Sequence, residues 1–169
     1  NAAKIVEVEI GDPMKANEII RIIIFSLIGF IIIFLAQPFL YRSGILRISD
    51  INVGTWINNY YIFGAGVVFA VSVLSTIIWY LITANAKAHK AEEVAQWMLV
   101  WWLFLLFPIL GICVAIGFFK GSNDALGSLA IFFVFDILLL FWLPTTTSTP
   151  GGLKYVPPGS IQLRRFFNE

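Results

Sequence analysis

The chain has 169 residues, 59% of them hydrophobic and 12% charged, with 11 Lys and Arg against 10 Asp and Glu. A globular domain in water carries about 25% charged residues, so this chain has too little polar surface to cover a soluble fold. Its charges nearly cancel and leave no net field to draw in nucleic acid. A soluble enzyme, a disordered regulator and a nucleic-acid-binding module are excluded, and an integral membrane protein remains.

The first element in chain order is Lys4-Ile5-Val6-Glu7-Val8-Glu9-Ile10, whose strict alternation of apolar and charged residues predicts a short strand. Gly11 ends it, and Asp12 followed by Pro13 suits an N-cap and a first helical position. An isolated strand is not stable in water and needs a partner. A full-length apolar span follows this acidic segment, so the span reads as a retained helix rather than a secretory signal.

Four apolar stretches can each cross a bilayer as a helix of about 20 residues: 19–39, 61–83, 97–119 and the shorter 126–143. Span one is rich in Ile, Phe and Leu, with Ser26 and Gly29 among its few small or polar residues, and reads as the most lipid-exposed helix. Spans two and three carry small residues at matching depth. Gly66 and Ala70 against Gly111 and Ala115 form the expected close helix contact. Pro108 is expected to kink span three. Cys113 reads as a small packing residue within that span.

Positive residues set the orientation, because Lys and Arg accumulate on the cytoplasmic side. Lys4, Lys15 and Arg21, then Lys87 and Lys90, then Lys154, Arg164 and Arg165 all fall on one side of a four-span protein. Only Arg42, Arg47 and Lys120 fall on the other, so both termini are expected in the cytoplasm. Trp79, Trp97, Trp101, Trp102 and Trp142 cluster at the first side and Trp56, Tyr41, Tyr60 and Tyr61 at the second, a pattern of two interfacial aromatic belts. The Ala-rich loop 85–96, which holds His89, is expected to extend the flanking helices. His89 itself reads as a solvated loop residue.

Beyond Pro144 the run Thr145-Thr146-Thr147-Ser148-Thr149-Pro150-Gly151-Gly152 reads as an extended linker without helix potential. Two short strands or interfacial segments then flank Pro157-Pro158-Gly159. Through Tyr155, Arg164 and Arg165 this tail is expected to dock on the N-terminal segment or on a neighbouring subunit. The fold expectation is an all-α integral membrane protein with four transmembrane helices, a short N-terminal strand and an irregular C-terminal tail. It divides into an N-terminal segment (1–18), a transmembrane domain (19–143) and the tail (144–169).

Asp136 is the one charged residue that lies within a span and away from its ends. Placing an acid at a helix centre costs about 2.5–3.5 kcal/mol on insertion scales, so it must face protein or water. Ser72, Ser75 and Thr76 of span two lie at similar depth and are its candidate hydrogen-bond partners. Three roles compete for it: a hydrogen-bonded lock between helices or subunits, a station on a proton or cation path, or an unremarked place nearer the interface. The rest of the inventory is short. One His, one Cys and scattered carboxylates form no catalytic set, metal site or bis-histidyl haem site, and no cofactor is expected. The functional expectation is a non-catalytic subunit, anchor or assembly partner of a larger membrane complex, in a plasma or organelle inner membrane. Its partners are lipid and other membrane proteins. The rival is a small oligomeric channel or transporter with Asp136 lining its path.

Overall fold

The computed structural model describes residues 16–86 and 91–166, all of whose regular structure is helical. The strand expected at residues 4–10, and His89 in the second loop, lie outside the described residues. Four long helices are apolar enough to cross a membrane: α1 (Ala16–Arg42), α2 (Val53–Ala84), α3 (Ala91–Phe119) and α4 (Leu126–Ser148). A short helix, α5 (Ser160–Phe166), closes the described chain.

Contacts along the helices define an up-down-up-down bundle. On α1 and α4, Arg21 meets Thr147 and Gln37 meets Asp136, so these two run antiparallel. On α2 and α4, Tyr61 lies near Phe133, Thr76 bonds to Leu140 and Trp79 to Thr149, so these two run parallel. Gly64 abuts Ala115 and Gly111 abuts Val71, which sets α2 against α3 in the antiparallel sense. Small residues thus do join α2 to α3, but in a different register from the expected one. Gly66 faces open space and Ala70 is exposed, because the face of α2 turned to α3 is the one that carries Gly64, two residues and about 200° around the helix from Gly66. Cys113 also points outward from α3.

Span one also has a close contact at a small residue. A Cβ on Gly29 would lie 2.3 Å from Leu140 Cδ2, so α1 and α4 touch where only glycine leaves room. Elsewhere α1 is clad in exposed Ile, Leu and Phe, as its composition predicts. Pro108 sits within a continuous α3, and the departures from α geometry occur in the other three spans. Each contains one π-helical segment: Ile32–Ala36, Ile57–Tyr61 and Leu138–Trp142.

Two expectations for the end of the bundle that holds the tail are corrected. Residues 143–148 form the last helical turns of α4 and not an extended linker. Threonine is a poor helix former when its hydroxyl is unoccupied, but here the hydroxyls donate back to carbonyls of their own helix. Thr146 and Thr147 bond to Leu143 O, both at 2.8 Å, and Thr145 to Trp142 O at 3.1 Å. The carbonyls left free at the helix end are taken by cations, which the helix dipole favours there. Arg21 donates to Thr147 O at 2.9 Å, and Arg164 donates to Thr149 O at 2.7 Å and Thr146 O at 3.2 Å.

The tryptophans follow the same logic. Trp56, Trp79 and Trp101 are fully buried and so form no lipid-facing belt, whereas Trp102 is half exposed. Trp79 donates to Thr149 Oγ1, Trp101 to Thr145 Oγ1, and Trp142 to Pro158 O. A buried indole needs an acceptor for its N–H, and the threonine-rich end of α4 supplies two. The tail therefore folds back under the bundle through Leu153, Val156 and α5, in place of the expected strands.

Two predictions follow from this packing. Gly29→Ala should lower unfolding stability in detergent by about 1–3 kcal/mol through overpacking. Combined with Leu140→Ala, the loss should be smaller than the sum of the single losses, because the added methyl then finds space. Arg164→Ala should release the tail, so that trypsin cleaves after the exposed Lys154 much faster than in the parent protein, with the spans left intact.

Candidate functional site: the polar centre around Asp136

The site arises where three spans abandon α geometry. In α1 the Gln37 N–H donates to Ile32 O, five residues back, which leaves Ile33 O without its α partner. Its π-register partner would be residue 38, and Pro38 has no N–H. A carbonyl stranded in lipid costs several kcal/mol, so another helix must supply a donor. Tyr61, at the end of the π-turn in α2, does so: its hydroxyl lies 2.8 Å from Ile33 O.

The Tyr61 hydroxyl also lies 2.5 Å from Gln37 Oε1, and Gln37 Nε2 donates to Asp136 Oδ1 at 2.7 Å. Asp136, Gln37, Tyr61 and Ile33 O thus form one hydrogen-bonded chain across α4, α1 and α2. Asp136 is fully enclosed, and Gln37 and Tyr61 are buried with it. Gln37 lies five residues before the end of α1 at Arg42, so at about 1.5 Å per residue the chain sits nearer that end than the middle of the bundle. Rings pack around it: Tyr41 lies tilted against Trp56 and Tyr61, with centroids 4.7 and 5.9 Å away, and its hydroxyl donates to Ser128 Oγ at 2.8 Å.

The expected partners of Asp136 take other places. Thr76 donates to Leu140 O at 2.7 Å, the carbonyl that Pro144 would serve in α register if it had an N–H. Ser75 is buried on the same helix. Ser72 lies one turn before Thr76, as Asp136 lies one turn before Leu140, and α2 and α4 run parallel. The two therefore occupy one layer of the bundle. Ser72 Oγ and Asp136 Oδ2 are both buried and both lack a hydrogen-bond partner among the described residues.

The remaining sequence-derived candidates divide. Gly111 and Ala115 line the α2–α3 contact, while Gly66 and Ala70 do not. Arg164 is buried in the base of the bundle, while Tyr155 and Arg165 face outward, with the Lys154 ammonium 4.9 Å from the Tyr155 ring. Gln37 and Tyr61 were not among the candidates. Gln37-Pro38 inside an apolar run was a signal for both, since it pairs a polar side chain with a missing donor in one membrane helix. Among the described residues, no group of His, Cys, Asp and Glu is placed to hold a metal ion.

Comparison with protein-family models, with curated proteins and with solved structures finds no match to this chain.

The geometry yields a stability prediction. Gln37→Leu removes the partner of both Asp136 and Tyr61 and should cost about 1–3 kcal/mol or more in an unfolding titration. Ser72→Ala removes a hydroxyl that has no hydrogen-bond partner among the described residues and should stay within about 0.5 kcal/mol of the parent.

Proposed function

We propose that this protein is a non-catalytic multi-pass subunit that assembles laterally with other membrane proteins, both termini in the cytoplasm. One observation carries the reading: Gln37, Tyr61, Thr76 and Asp136 are turned inward, with the bonds of the first three going to neighbouring helices of the same chain and Asp136 held by Gln37. Chemistry or transport needs polar groups that meet a substrate or a water path. Here Thr76, Tyr61 and Gln37 are spent on stranded carbonyls and on a buried acid. What the protein presents to its surroundings is the apolar cladding of α1 and α3 and, at the base, Lys154, Tyr155 and Arg165.

The excess of Lys and Arg at the end of the bundle that holds the tail supports the cytoplasmic assignment. The enclosure of Asp136 within a single chain counts against the rival reading, an oligomeric channel lined by this residue.

Extraction in mild detergent, followed by native mass measurement, tests the proposal. Stoichiometric partners of different sequence are expected. A closed ring of identical chains would overturn the subunit reading in favour of the channel.

A further inference from the structure

The hydrogen-bond chain around Asp136 contains a mismatch in its count of protons. With Gln37 Nε2 donating to Asp136, Gln37 Oε1 is an acceptor, and so is Ile33 O; both lie within bonding distance of one Tyr61 hydroxyl. That hydroxyl carries a single proton. One of the two acceptors therefore goes without, and Asp136 Oδ2 goes without as well. Three spans would meet around an ionised carboxylate and an unsatisfied amide or backbone oxygen, in a buried layer where an unpaired polar atom is costly.

Turning the Gln37 amide over by 180° keeps its shape and exchanges its oxygen and nitrogen. If Asp136 also carries a proton, every contact becomes a donor facing an acceptor. The Asp136 hydroxyl donates to Gln37 O, Gln37 N–H donates to the Tyr61 oxygen, and Tyr61 O–H is free to donate to Ile33 O. We infer that Asp136, Gln37 and Tyr61 form a buried proton-binding site, in which Asp136 is a neutral acid and the Gln37 amide reports its state.

The groups facing Asp136 are consistent with a neutral acid. From α2 it meets Tyr61, and beyond the Tyr61 ring lies Tyr41 of α1, 5.9 Å away. Ser72 of α2 occupies its layer. No Lys, Arg or His occurs in the interior of any of the four spans to balance a carboxylate. Loss of the proton turns the amide back and draws the Tyr61 proton to Gln37, away from Ile33 O. The π-turn of α1 then loses its only donor from α2 at that carbonyl. Protonation at Asp136 is in this way coupled to the packing of α1 against α2, whether or not the chain acts as a subunit.

Infrared spectroscopy of the protein in lipid nanodiscs at neutral pH tests the site. Wild type minus Asp136→Asn should show one protonated-carboxyl C=O band that shifts in heavy water. Carboxylate bands alone in that difference would overturn the proposal. Labelling the aspartate side-chain carboxyls of the wild type with carbon-13 gives an independent reading should the variant fail to insert. One labelled carboxylic acid per chain at neutral pH is expected, from four aspartates in all. Four labelled carboxylates and no acid would overturn the assignment.

Discussion

A backbone carbonyl that loses its helical partner inside a membrane has no water to turn to, and this constraint organises the bundle. Pro38 and Pro144 each remove an N–H from a spanning helix, and each lies just beyond a π-turn. The carbonyls affected are claimed by side chains of α2: Ile33 O by the Tyr61 hydroxyl and Leu140 O by the Thr76 hydroxyl. Both donors lie on the same helix, about four turns apart. α2 is thereby bolted to α1 near one end and to α4 nearer the other. A lipid-facing proline would leave its carbonyl stranded, so these two bonds also fix which faces of α1 and α4 point inward. The apolar contacts then follow, with Gly29 admitting Leu140 between the two tie points.

At the base the same need is met differently. The last carbonyls of α4 lie where a guanidinium can be held, so Arg21 and Arg164 serve them in place of hydroxyls. A guanidinium presents several donors in one plane, which lets Arg164 bridge Thr146 O and Thr149 O from the tail. The threonines would otherwise disfavour helix, but they direct their own hydroxyls to Leu143 and Trp142 carbonyls and offer oxygens to Trp79 and Trp101. A polar, threonine-rich stretch that looks unstructured is in this way tied to α1, α2, α3 and the tail.

Much of this architecture is legible in the sequence, and the rest is hidden for physical reasons. Apolar runs of the right length reveal four spans because the bilayer sets their length. Asp136 stands out because a lone acid in such a run is expensive. Its partner does not, because a hydrogen bond between spans depends on rotation about each helix axis, and each π-turn alters that rotation without leaving a clear mark in composition. Ser72 and Thr76 sit at the right depth by simple counting, yet Gln37 makes the bond. The rotation of α2 about its axis likewise decides that Gly64 and not Gly66 meets α3. For the threonine run the failure was of another kind. Local propensity argued for a loop, and tertiary partners for hydroxyls and carbonyls overrode it.

The economy of polar atoms bears on function. Any pathway or reaction inside the membrane must draw on groups with unused hydrogen-bonding capacity. Among the buried side-chain atoms described within the spans, that capacity is confined to Ser72 Oγ, Asp136 Oδ2 and, at the base, Ser148 Oγ. The first two share a layer between parallel helices, beside the hydrogen-bond chain that reaches from Asp136 to Ile33 O. Polar atoms held solely as helix–helix adhesive have no reason to remain incomplete in one layer, since a leucine and an alanine would pack there without desolvating a carboxyl. Retention of an acid at that place is better explained by a proton it can gain and lose, felt by α1 through Gln37 and Tyr61.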